Sequence, residues 1–388
     1  MTYTRPVTLH LPKKLVVGAG CLSQMVDDCL AAGYKRLFVL TVPVVAEMVK
    51  PVFNKLQGNG IELKINTSIN AEPYYADFEK VLSEARAFNA DCVAGIGGGS
   101  VMDVAKLIAA QLYNTQTLNE IAGNGLLKER RTYLICVPTT SGTGSEVSPN
   151  AILSNNDGVK TGIISPFLVP DASYIDAELA VGLPPAVTAF TGMDALTHCI
   201  EAYANKFAHP LVDMYALEGV RLIASNLKIA YDNGKDIEAR SRIALGSVYG
   251  GMCLGPVNTA AVHALAYPLG SDFKMAHGLS NAILLPYVIE YNIDAAENRY
   301  ADIAIALGAK PTASAKETAL AGVAIIRDLN KHCNIPSSLS ETGISKEALP
   351  ELAKAASNVQ RLLKNNVKAF SLDDIVNVFT NAFSQIWI

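Results

Sequence analysis

At 388 residues the chain exceeds what one hydrophobic core usually serves, so two domains are expected. Half of its residues are apolar and 18% are charged, a balance that fits a large buried interior and argues against disorder. A formal net charge of -4, with no block of lysine and arginine, leaves no basic field for nucleic acid, so no nucleic-acid partner is expected.

Taken from its start, Met1-Thr2-Tyr3-Thr4-Arg5-Pro6 lacks the charged region and apolar run of a signal peptide. No apolar segment approaches the roughly 18 residues that span a bilayer, so a cytoplasmic, soluble protein with no membrane partner is expected. Gly18-Ala19-Gly20 resembles the opening of a dinucleotide fingerprint, but Ser23 stands where the third glycine belongs. The next strand also ends in Thr41-Val42 with no acidic residue, so a plain turn is expected at Gly18. The runs Leu37-Phe38-Val39-Leu40, Cys92-Val93-Ala94-Gly95-Ile96 and Tyr133-Leu134-Ile135-Cys136-Val137 are nearly all apolar, as strands buried on both faces must be. Between them, residues 77–88 and 101–111 space their apolar side chains as helices do. The alternation predicts a parallel sheet flanked by helices, with ligands beyond the carboxyl ends of the strands.

Gly97-Gly98-Gly99-Ser100 joins the second of these strands to the helix after it. Glycines there let backbone N–H groups close on a phosphate at the positive end of the helix dipole, although such a loop also serves as a tight turn with no ligand. Asp103 falls in the first turn of that helix, where it serves the dipole or holds a ribose hydroxyl. After the third strand comes Pro138-Thr139-Thr140-Ser141-Gly142-Thr143-Gly144-Ser145-Glu146-Val147-Ser148. Its hydroxyls can bind phosphate, ribose or a carboxamide, or can cap their own backbone. Two polar glycine loops after two strands of one sheet favour a shared ligand.

Near Leu183-Pro184-Pro185 the texture changes to long Ala- and Leu-rich stretches, at residues 186–205, 210–229, 236–253 and 315–333. The expected division is an α/β domain over 1–182 and an all-α domain over 183–388. Seven scattered cysteines, with no CxxC spacing, read as buried reduced thiols.

In the helical half, Asp194 and His198 are four positions apart, which on a helix puts both on one face with Cβ atoms about 5–6 Å apart. His263 and His277 follow in apolar or glycine-bounded settings. Any one of these histidines can be a satisfied core residue, but with Asp194 they favour a metal site. One carboxylate and three imidazoles suit Fe²⁺ or Zn²⁺ with a position left for a substrate oxygen. His10, His209 and His332 sit in more polar or terminal contexts, and no role is expected for them.

These motifs in this order, with Glu201 three residues after His198 and 14 positions between His263 and His277, resemble the iron-containing (group III) alcohol dehydrogenases over almost the whole chain. The resemblance implies a dinucleotide-binding domain and a helical metal-binding domain with a cleft between them, and a homodimer or larger homo-oligomer. It implies metal ligands at Asp194, His198, His263 and His277. It implies cofactor contacts at Gly97, Gly98, Gly99, Ser100, Asp103, Thr139, Thr140, Thr143 and Ser148, with Lys160 and Leu179 added, and substrate contacts at Asn150 and Leu254. Two positions depart from the family pattern. Tyr267 stands where many members carry a histidine near substrate and nicotinamide, which puts the proton path in doubt. Val42 stands where many carry an aspartate facing the adenosine ribose, which leaves NAD or NADP open and points to relaxed use of both.

The implied reaction moves a hydride between NAD(P)(H) and a small primary alcohol, diol or aldehyde, with the ion lowering the pKa of the alcohol. Two other readings compete. One is a lyase resembling dehydroquinate synthase, which shares the fold, NAD and a metal; the other is a non-catalytic nucleotide- or metal-binding protein.

Overall fold

The computed structural model describes residues 4–69, 73–155 and 158–386. Its backbone falls into two compact units, one spanning Leu9–Gly182 and the other Leu183–Ile388 together with the N-terminal stretch that ends at Thr8. That stretch differs from the expected 1–182 unit for a packing reason: Val7 lies against the helical core and Arg5 donates to the Phe207 carbonyl.

The first unit is built on a six-stranded, wholly parallel sheet. In chain order the strands of the unit are β1 (Lys14–Val17), β2 (Arg36–Leu40), β3 (Glu62–Asn66), β4 (Cys92–Gly97), β5 (Gly123–Asn124), β6 (Tyr133–Pro138), β7 (Asn150–Ser154), β8 (Lys160–Ile164) and β9 (Ala172–Ile175). The large sheet has the order β1-β9-β6-β4-β2-β3, and β5, β8 and β7 form a small second sheet. β4 is buried along its whole length, which is why its sequence is continuously apolar rather than alternating. The chain steps outward from β2 to β3 and then returns to the other side of β2 as β4, so the strand order reverses between β2 and β4. In parallel sheets that crevice is where a ligand binds. Register sets Leu40 beside Gly95, so Val42 and the Gly97 loop leave the sheet on either side of the reversal.

Seven helices matter below: α1 (Gly99–Gln111) in the sheet unit, and α2 (Pro185–Tyr203), α3 (Pro210–Asp232), α4 (Ile237–Leu254), α5 (Ala261–Phe273), α6 (His277–Asn292) and the short α7 (Gln360–Leu363) in the helical unit. Pro185 and Pro210 each occupy the first helical turn, where the missing N–H costs nothing. One large apolar core, from Ala189 to Ala382, fills the helical unit. α2 is buried almost throughout its C-terminal two-thirds, so the polar residues it carries there must be satisfied by neighbours. All seven cysteines are buried and free. Among the described residues, no helix is long and apolar enough to cross a membrane.

Candidate active site

In the sheet unit the two glycine loops meet. Gly98 caps α1 in extended conformation, and the Thr139 amide donates to the Gly97 carbonyl at 3.0 Å. A Cβ on Gly99 would lie 2.6 Å from the Thr143 methyl, so only glycine lets the loops pack this closely, with the Thr140 hydroxyl next to Gly98. Asp103 ties them together: its Oδ1 accepts from the Ser145 hydroxyl at 2.5 Å and its Oδ2 from the Ile152 amide at 2.9 Å. Each oxygen thus accepts one bond from protein, which anchors the second loop to α1 and leaves further acceptor capacity on the carboxylate. Ser148 is likewise engaged, its carbonyl and hydroxyl accepting from the fully buried Lys106 ammonium at 2.9 and 3.4 Å; the Asn150 carbonyl accepts from it at 2.8 Å. Burial pulls the Lys106 pKa down and that of Asp103 up, each opposing the attraction between them. Burial also pushes Glu146, in the same loop, up to about 7.

The remaining positions in this unit are more scattered. Ser100 lies half-buried in the first turn of α1. Asn150 opens β7, and its side-chain Oδ1 is buried without a hydrogen-bond partner among the described residues. Lys160 opens β8. Leu179 is buried in the sheet's core, in a 3-10 turn. Val42 is extended, precedes the proline-initiated helix Pro43–Met48, and packs against the cores on both faces of the sheet.

In the helical unit, Asp194, His198 and Glu201 occupy positions i, i+4 and i+7 of α2, one face over two turns. His263 comes from α5, and His277 opens α6. A Cβ on Gly278 would strike the Phe190 carbonyl at 2.0 Å, so glycine is what lets the start of α6 close on α2. The Nε2 atoms of His263, His277 and His198 lie 3.5, 3.7 and 3.9 Å from Asp194 Oδ1. Donor atoms of Asp194, His263 and His277 all fall within 4.8 Å of one another; His198 sits beside that group, stacked on His263 with centroids 4.7 Å apart. The Asp194 and His263 side chains are 5% and 3% exposed but that of His277 is 32%, so the cluster is reached from the His277 side.

Two residues given no role in the sequence complete it. Glu201 accepts from the Val262 amide and from His263 Nδ1, both at 2.6 Å, which puts the His263 proton on Nδ1 and leaves Nε2 facing the cluster. The i+7 spacing from Asp194 is its legible signal. Asn281, fully buried on α6, donates from Nδ2 to Asp194 Oδ1 at 2.7 Å and lies 3.2 and 3.3 Å from Nε2 of His263 and His277. Its Oδ1 is buried with no hydrogen-bond partner among the described residues. Nothing local in the sequence marks it. Burial raises the Asp194 pKa, but His198, His277 and His263 outweigh it and hold the carboxyl well below its usual range. Burial opposes charging of His263, and Glu201 and Asp194 outweigh that, pushing it up to about 10. With no metal bound, a His263 imidazole held up to about 10 is protonated at neutral pH, so the Asp194 and Glu201 carboxylates gather positive charge at this point. The donor set, one carboxylate and imidazole nitrogens, fits Fe²⁺ or Zn²⁺.

Tyr267 lies one turn beyond His263, its ring centroid 5.8 Å from that of His277, and its hydroxyl accepts from Arg361 Nη2 at 2.9 Å. Leu254 ends α4, buried. Two of the other histidines do structural work: His209 caps α3 by accepting from the Leu211 amide, and His332 pairs with Asp232 on the surface.

Comparison with known proteins bears on the whole chain. Residues 12–177 match the family model described as iron-containing alcohol dehydrogenase, and residues 188–383 match that of the C-terminal part of the Fe-containing alcohol dehydrogenase family. Long-chain-alcohol dehydrogenase 1 of Geobacillus thermodenitrificans is 37% identical over 374 residues, 95% of this chain and 94% of its own length. Sulfoacetaldehyde reductase of Bilophila wadsworthia is 33% identical, over 94% of this chain and 96% of its own. A crystal structure of 1,3-propanediol oxidoreductase superposes with a TM-score of 0.94 at 32% identity, covering 98% of this chain and all of the other.

Proposed function

The chain belongs to the iron-containing alcohol dehydrogenase family, and from that premise we propose how its own residues carry out hydride exchange between a nicotinamide cofactor and a small primary alcohol, diol or aldehyde. The observation that carries the proposal is the convergence of Asp194, His263 and His277 within 4.8 Å, on a point that the Asn281 amide nitrogen also approaches. In this proposal Asp194, His198, His263 and His277 hold one Fe²⁺ or Zn²⁺. The ion supplies Lewis acidity, which lowers the pKa of an alcohol and polarises an aldehyde carbonyl, while NAD or NADP takes or gives the hydride. Glu201 holds His263 in the tautomer that a ligand needs. Tyr267 positions the substrate through its hydroxyl, with Leu254 and Asn150 as further substrate contacts.

The Gly97, Gly98, Gly99 and Ser100 turn, at the amino end of α1, receives the pyrophosphate on backbone amides. Thr139, Thr140 and Thr143 lie against that turn and extend the site, with Ser148, Lys160 and Leu179 at its margin. Asp103 and Lys106 contribute by fixing the two loops in place. Val42 offers the adenosine ribose neither a hydrogen-bond acceptor nor a negative charge, which favours relaxed use of NADH and NADPH. The α/β and helical parts act as two domains, with the boundary along the chain near residue 182. We further propose a homodimer or larger assembly in the cytoplasm; seven buried free thiols suit a reducing compartment.

The test is to strip the protein with a chelator, restore Fe²⁺ or Zn²⁺, and follow NADH from short primary alcohols and diols. Net NADH accumulating only after metal is restored supports the proposal. A dehydroquinate synthase-like lyase regenerates its cofactor each turnover and gives no net NADH, and a non-catalytic binding protein gives no turnover at all.

A further inference from the structure

Two arginines on the helices of the helical unit, Arg240 and Arg361, lack a carboxylate partner among the described residues; Arg240 is buried and bonded to the Gly234 carbonyl and the Thr188 hydroxyl, whereas Arg361 lies beside the Asp194 cluster. Arg299 pairs with Asp213 and Arg327 with Glu290, each guanidinium matched to a carboxylate. Arg361, half-buried on α7, has no carboxylate partner among the described residues. One Nη2 donates to Tyr267 Oη at 2.9 Å, and its guanidinium carbon lies 5.5 Å from the centre of the same ring. A guanidinium carries five N–H donors in a planar fork, so most of this one's hydrogen-bonding capacity is left unmatched. Its position gives that capacity a direction: α7 packs on α5, Tyr267 on α5 lies against His277, and His277 is the exposed member of the Asp194 cluster.

We infer that Arg361 binds an oxyanion at the far end of the substrate, so that the substrates are short aldehydes and alcohols bearing a carboxylate or sulfonate. This rests on the dehydrogenase reading above, in which the reacting oxygen lies at the Asp194 cluster. The guanidinium fork accepts a planar or tetrahedral oxyanion through two parallel N–H bonds, stronger than neutral contacts and geometrically selective. The Tyr267 hydroxyl, held by the same arginine, is a further donor towards the substrate. A neutral alcohol of equal length leaves the fork unpaired, which sets the discrimination.

The experiment compares 4-oxobutanoate and 2-oxoethanesulfonate with butanal, in metal-loaded wild type, Arg361→Met and Arg361→Lys. The readout is the ratio of kcat/KM for anionic over neutral aldehyde, which cancels general damage to the site. In wild type the ratio should exceed about ten; Arg361→Met should lower it by about ten-fold or more, chiefly through KM, and Arg361→Lys should keep part of it. Binding of ethanesulfonate, an unreactive probe, is followed separately by ligand-observed NMR and should be lost in Arg361→Met. A flat wild-type ratio with active enzyme, or a ratio unmoved in Arg361→Met, overturns the inference and leaves the dehydrogenase reading standing. If no aldehyde is reduced, the dehydrogenase reading fails, and ethanesulfonate binding then decides alone whether Arg361 forms an anion site.

Discussion

The two units hold buried charge in opposite ways. In the sheet unit the Lys106 ammonium is bonded to the Ser148 and Asn150 carbonyls, and Asp103 to Ser145 and Ile152, so protein partners answer the charges. In the helical unit, the Nε2 atoms of His263 and His277 gather around Asp194 Oδ1, which also accepts from Asn281 Nδ2. A buried carboxylate there calls for positive charge, from protonated imidazoles or from a bound cation. The difference teaches that the buried charges between the two glycine loops are answered by folding alone, whereas the His and Asp cluster is arranged to take a cation. Each region should therefore fail in its own manner.

The largest expected effect is at the cluster. His277→Ala should bring bound metal well below one per chain, by mass spectrometry, and lower kcat/KM by roughly 1000-fold. Because His277 is the exposed member, unfolding of the metal-free protein should change little. Full activity from a verified metal-free preparation breaks the contrast. Lys106→Met should do the reverse and weaken folding by about 3 kcal/mol in denaturant titration, since Asp103 loses its opposite charge in a buried setting. A variant as stable as wild type means that the loops are not held by this pair.

A finer test is Glu201→Gln, which keeps the shape but removes the charge behind His263. Affinity for Fe²⁺, measured by competition with a chelator, should fall roughly 10–100-fold. Unchanged affinity would show that Asp194 alone orients the imidazole. The smallest effect expected is at Val42. Val42→Asp should shift the kcat/KM ratio towards NADH by at least ~10-fold at fixed aldehyde and saturating metal; a wild type that excludes NADPH outright refutes the relaxed preference.

Local repetition made much of this molecule legible in advance. Leu37 to Leu40, Cys92 to Ile96 and Tyr133 to Val137 are continuously apolar, and a strand buried on both faces admits little else, so β2, β4 and β6 could be read as parallel strands. Asp194 and His198 could be paired because 3.6 residues per turn fixes which side chains share a face, whatever the helix packs against. What the tertiary structure decided is which residues from distant segments meet. That Asp103 also anchors Ile152 of β7, 49 positions away, is not legible in its own helix. Glu201 meets His263 from 62 positions away, Asn281 meets Asp194 from 87, and Arg361 meets Tyr267 from 94. Helical periodicity sets the face a side chain occupies. Its partner depends on how the helices pack, and packing is a property of the whole core that no short stretch of sequence contains.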